Sequence, residues 1–176
     1  VSEHPVLQSI HAPLLRDFVR YWLDCRQPGT MVTRRADFDI FHIPALVQHL
    51  FLYDFDAQAR HFVLRVAGEE IRRILPHSLP GTPLERIIPP AVLAQVQERY
   101  CRVCEEPAML HSMGRVFLNL GGTGVGERVV LPLADERGAV YQLLGATIYQ
   151  LGSSLDDGST FAHEEVTLTY FPLTAD

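Results

Sequence analysis

Leu50 to Leu75, LFLYDFDAQARHFVLRVAGEEIRRIL, constrains this chain more than any other stretch. Two strand-like runs flank a short polar turn, and Gly68 then opens a helix. In the second run Phe62, Leu64 and Val66 share one face, while Val63 and Arg65 share the other. A hairpin with an apolar face that feeds straight into a helix predicts an α+β domain built on an antiparallel sheet.

The rest of the chain extends this pattern. Pro13 to Arg26 reads as an amphipathic helix, and a loop with the basic pair Arg34 and Arg35 follows it. Ile43 to His49 is a short helix with Pro44 in its first turn, where proline is tolerated. Gly68 to Leu75 is a helix stopped by Pro76, and a turn of helix is expected near Leu84 to Ile87. In Pro90 to Glu105, Val92, Val96, Tyr100 and Val103 recur at helical spacing. Three long strands follow: Ala108 to Asn119, Glu127 to Ala134 and Ala139 to Leu151. The tail Glu164 to Phe171 alternates as an added strand would. Strands and helices grouped in runs indicate α+β, not a parallel βαβ sheet. The expected organisation is an N-terminal helix and loop (1–42), a core (43–151) and a C-terminal extension (152–176).

The N-terminal helix is apolar over too wide an arc. Leu14, Leu15, Phe18, Val19, Tyr21, Trp22 and Leu23 cover about half the wheel, whereas packing on one core needs a stripe of about 100°. The excess predicts a homodimer through Phe18, Val19, Trp22 and Leu23. The alternative is a helix wrapped by its own loop.

Composition narrows the function class. At 176 residues the chain suits one domain. Its net charge of -6 and the lack of any Lys/Arg run give no footprint for nucleic acid. No apolar stretch approaches the roughly 20 residues of a membrane span. No signal-peptide pattern opens the chain, so a cytoplasmic location is expected; it starts at Val1, which leaves room for residues upstream. Three cysteines, an odd number, argue against a disulfide framework and fit a reducing compartment.

Few residues suggest catalysis. Cys101 and Cys104 form a C-x-x-C at a helix C-terminus, where the dipole disfavours a thiolate. Cys104 is expected at the edge of the apolar face and Cys101 toward solvent. No second ligand pair accompanies them, as a zinc site would require. Eight histidines are scattered without helical pairing. Gly121 to Gly126 lacks the Lys-Ser/Thr of a phosphate loop and reads as a flexible hairpin turn. Arg65, Arg115 and Arg128 lie in strands with apolar neighbours. They either face solvent, pair with an acid such as Asp54 or Glu127, or recognise an anion in a pocket.

Several segments together resemble the PAS domain, in its bacterial PAS_5-type form. They are YWLDCR (Tyr21 to Arg26), RRADFD (Arg34 to Asp39), IPALVQHLFLYDF (Ile43 to Phe55), FVLRVAGEEI (Phe62 to Ile71) and LPLADERG (Leu131 to Gly138). The resemblance covers roughly residues 13–150 and departs from the family in the glycine-rich turn and the tail. It implies a five-stranded antiparallel sheet with helices on one face, preceded here by the amphipathic helix. It also implies a non-catalytic sensory or signalling module that binds a small molecule or a partner protein. No cofactor is assigned. The long helix lacks the histidine that haem-binding members use, leaving His77 and His111 beside it as candidate ligands; the photosensors' N-C-R-F-L-Q run is absent. A pocket between sheet and helices is expected to be lined by Leu64, Val66, Ile71, Leu75, Arg115, Phe117, Leu144 and Ala146, with Gly145 and Ala146 leaving room for a ligand or a close backbone. With no output domain in view, signalling would pass to a partner in trans. The competing readings are a thiol- or metal-dependent enzyme using Cys101 and Cys104, and a solid-core protein–protein adaptor.

Overall fold

The computed structural model of the chain describes residues 4–116, 124–151 and 165–175. Two helices come first, α1 (Pro5–Ser9) and α2 (Pro13–Asp24), followed by three short 3-10 turns up to His49. The hairpin is β1 (Leu50–Asp56) and β2 (His61–Ala67). Then come α3 (Glu69–Ile74), α4 (Leu84–Ile87) and α5 (Pro90–Glu105). The last strands are β3 (Ala108–Val116), β4 (Gly124–Ala134), β5 (Val140–Leu151) and β6 (Glu165–Pro172). They form one antiparallel sheet in the order β2-β1-β5-β4-β3-β6. The α+β class holds, and the tail supplies a sixth strand at the β3 edge.

Both faces of this sheet are covered. On one, which we call the inner face, Phe51, Tyr53, Phe62, Leu64, Leu110, Val130 and Leu143 pack against Ile71, Leu84, Ile87, Val96, Tyr100 and Val103. On the other, the outer face, Leu50, Met109, Val129, Leu131, Leu144 and Ala146 pack against Val6, Leu15, Phe18, Val19 and Trp22. A strand buried on both sides reads as a continuous apolar run, as Val129 to Leu133 does.

This arrangement corrects the reading of α2. Phe18, Val19 and Trp22 have no exposed surface, and Leu23 is half-buried. The wide apolar arc is covered by the chain's own sheet and by the loop carrying Val32 and Phe38. Trp22 Nε1 donates to the Pro132 carbonyl at 3.2 Å, and Thr33 Oγ1 donates to the Trp22 carbonyl at 2.7 Å. A stripe of about 100° suits a helix packed on a single core, whereas α2 is enclosed by sheet and loop together.

Two backbone features place the functional elements. Gly68 opens α3 where the chain crosses the Val47 and Gln48 carbonyls so closely that a Cβ would overlap them. Its N–H donates to the Leu50 carbonyl at 2.8 Å, which fixes α3 onto the start of β1. Between β1 and β2 the register shifts: Leu52 faces Val66 but Tyr53 faces Leu64. The extra residue turns Val66 away from the Leu64 face. The glycine-rich stretch is also not all turn. Gly124 and Gly126 lie in β4, opposite Val116 and Gly114 on one side and Leu151 and Tyr149 on the other. Two neighbouring ladders override glycine's weak strand preference.

Candidate functional site

Strand alternation sorts the expected pocket residues onto different faces. Leu64 and Ile71 are buried on the inner face, and half-buried Leu75 packs at its edge. Val66 is 41% exposed as a result of the register shift. Leu144 and Ala146 are buried on the outer face, with Leu50 and Leu131. The period of two explains it: Leu143, Gly145 and Thr147 point inward, so Leu144 and Ala146 point outward. Phe117 and the Arg115 side chain lie outside the described residues. The room expected at Gly145 is taken by the Phe51 ring, which lies where a Cβ would be. That ring stacks on Tyr100 at 6.2 Å, within a cluster that includes Tyr53 and Phe62.

The three arginines separate as well. Arg65 faces solvent and pairs with Asp54 at 2.5 Å. Arg128 is half-buried and inward, one residue from outward-facing Val129. Its Nε donates to Thr147 Oγ1 at 2.9 Å and its NH2 to Tyr149 Oη at 3.3 Å, and its guanidinium lies 5.9 Å from the centre of the Phe51 ring. Thr147 is fully buried. A guanidinium, two hydroxyls and an aromatic face thus converge on an otherwise apolar wall, the usual composition of a ligand site.

The outer face carries a polar centre that the sequence reading missed. Glu127 is 6% exposed on β4 and sits at the head of α2. Its Oε1 accepts the His11 N–H at 2.7 Å and its Oε2 the Ala12 N–H at 2.6 Å. His111 Nε2, also buried, lies 2.8 Å from Oε1. Burial pushes the Glu127 carboxyl up, but the His11, His111 and Ala12 hydrogen bonds together outweigh it and hold the group below the ordinary carboxylate range. The available signal was periodicity: Glu127, Val129, Leu131 and Leu133 share one side of β4, so Glu127 had to face a core. His111, a candidate haem ligand, is held in this pair, while His77 is exposed.

The cysteines differ from expectation at one position. Cys104 is buried as anticipated, but Cys101 is buried too, in the inner-face core. Burial pushes both thiols up, away from the thiolate that nucleophilic or metal chemistry needs. Replacing either with serine buries a hydroxyl and should cost about 1–3 kcal/mol, read by urea denaturation. Rapid labelling of both thiols in the folded protein would contradict this placement. Among the described residues no helix is long and apolar enough to cross a membrane.

No protein of curated function matches the chain. Among solved structures, VqmA bound to DPO is similar over 64% of this chain and 57% of its own, with 13% identity and a TM-score of 0.48. The VqmA dimer of Vibrio cholerae without its target DNA is similar over 64% of this chain and 53% of its own, with 12% identity and a TM-score of 0.48. The chain thus matches a little over half the length of either VqmA structure. A sensory box histidine kinase/response regulator of Burkholderia thailandensis E264 is similar over 63% of this chain and 84% of its own, with 18% identity and a TM-score of 0.39. The family model PAS_5, described as a PAS domain, matches residues 10–148, a span that takes in α2, the hairpin, α3 to α5 and most of the last strands, and the chain belongs to the PAS domain family.

Proposed function

We propose that this PAS domain is a non-catalytic sensory module. It binds a small molecule carrying a carboxylate or carbonyl oxygen at the inner face of the sheet and passes the change to a partner protein. The observation that carries this reading is Arg128, a half-buried guanidinium seated with Thr147 and Tyr149 on the wall facing the helices. A desolvated guanidinium favours oxygen acceptors with strong, directional hydrogen bonds. Leu64, Ile71 and Leu75 supply apolar surface on the same side. Self-association, where it carries the signal, uses a surface other than Phe18, Val19 and Trp22.

Native mass spectrometry of the purified protein tests this reading. A retained small molecule is expected, and Arg128→Met should lose it while the far-ultraviolet circular dichroism stays unchanged. Retention that is indifferent to Arg128 would place the site elsewhere. The absence of any retained molecule would favour the adaptor, the second reading. One observation supports that reading: the Phe51 ring closes the gap over Gly145 and joins a packed cluster with Tyr53, Phe62 and Tyr100.

A further inference from the structure

The outer face holds a cleft of about 440 Å³ where the α1–α2 junction meets β3, β4 and β5. Its walls are apolar at Leu14, Met113, Val125 and Ile148, and polar at His11, His49 and Glu127. Met113 and Val125 are more exposed than strand residues packed in a core, at 36% and 44%. A cleft of this size with a few polar groups matches the ordinary dimensions of a small-molecule site.

Two of the polar groups in the wall are acceptors, Glu127 and His49, while the third, the exposed His11 ring, sets its Nδ1 3.5 Å from Glu127 Oε1 and leaves Oε2 clear. Glu127 accepts three hydrogen bonds, two at Oε1 and one at Oε2, which leaves Oε2 with unused acceptor capacity. His49 bonds the Thr147 backbone through one ring nitrogen, and its Nδ1 is buried without a hydrogen-bond partner. Burial pushes the His49 ring toward its neutral form, in which that nitrogen is an acceptor. No arginine or lysine belongs to the described lining. The wall therefore offers a carboxylate oxygen, backed by the enclosed Nδ1 lone pair of His49, beside apolar surface, a combination that favours a cation and disfavours an anion.

We infer that this cleft is a second binding site, for a small organic ammonium compound whose apolar body lies on Met113, Val125 and Ile148 and whose N–H groups face Glu127 and His49. It lies across the sheet from Arg128, so the two sites stand or fall separately. Because Glu127 also holds the head of α2, an occupant would bear directly on how α2 is seated.

The test uses 2-phenylethylamine and 3-phenylpropionate, probes of similar body and opposite charge, followed by amide chemical shifts at neutral pH. The amine should bind with a Kd on the order of 1 mM and shift the amides of Ala12, Met113 and Ile148. Ile148→Trp, which fills the cleft, should weaken it at least about tenfold, as should Met113→Trp at the more exposed wall. His49→Phe keeps the ring and removes the acceptor, and should also reduce affinity. The inference is overturned if the amine fails to bind, if the anion binds equally well, or if the amine shifts map elsewhere or persist in both tryptophan variants.

Discussion

Trp22→Ala should lower the unfolding free energy by about 3–5 kcal/mol, the cost of emptying a large aromatic site in a packed core. Trp22 has no exposed surface, lies with Phe18, Leu131 and Leu133 on the outer face, and spends its indole N–H on the Pro132 carbonyl. The truncation therefore removes apolar burial and leaves that carbonyl without its partner. The loss should be independent of protein concentration, because every group involved belongs to one chain. Denaturant unfolding of wild type and variant over a wide range of concentrations reads both quantities. A variant of wild-type stability that changes only the association state would restore α2 as a dimer surface. Removing α1 and α2 altogether should be worse, since it uncovers Leu50, Met109, Val129, Leu131, Leu144 and Ala146 at once.

Most of the architecture was legible because it rests on local signals. The hairpin, α5 with its valine spacing, and the antiparallel order follow from periodicity and turn residues. The family follows from the order of several short segments, and the match over residues 10–148 bears it out. What the sequence hid depends on long-range packing. Residues 143–148 are small or apolar at nearly every position, so nothing in them states which side is which. Only the pairing of Leu144 with Leu52 and Leu131 fixes that side. The same holds for Val66, whose alternation is sound until the register shift across from Leu52 and Tyr53 reverses it. At Gly145 the space expected for a ligand or a close backbone is filled instead by the Phe51 ring of the adjacent strand, a contact that no local pattern states. Cys101 lies on the solvent side of a single-stripe wheel, yet the helix packs deeply enough on the inner face to bury it.

Glu127→Ala should cost about 3–5 kcal/mol, as expected when one partner of a buried charged network is removed. Three donors converge on this carboxylate: the His11 and Ala12 N–H groups and the buried His111 ring. In the alanine variant the buried His111 ring loses its acceptor, and so do the part-buried His11 and Ala12 amides. Glu127→Gln tests geometry against charge. Its amide oxygen can replace only one carboxylate oxygen, and the NH2 group then meets another donor, so a loss of about 1–3 kcal/mol is expected despite the matched shape. The pH dependence follows from the sign of the shift. The folded carboxyl titrates below its unfolded value of about 4.3, so its contribution is fully present above that pH and is lost as pH falls through the folded pKa. Wild type should therefore lose stability in acid more steeply than Glu127→Gln, and the two should converge at the lowest pH at which both remain folded. The first structure released should be the α1–α2 junction, visible as early hydrogen exchange at His11 and Ala12. Parallel acid profiles for the two proteins, or protection at His11 and Ala12 that outlasts the sheet, would mean that Glu127 does not hold the N-terminal helices in place.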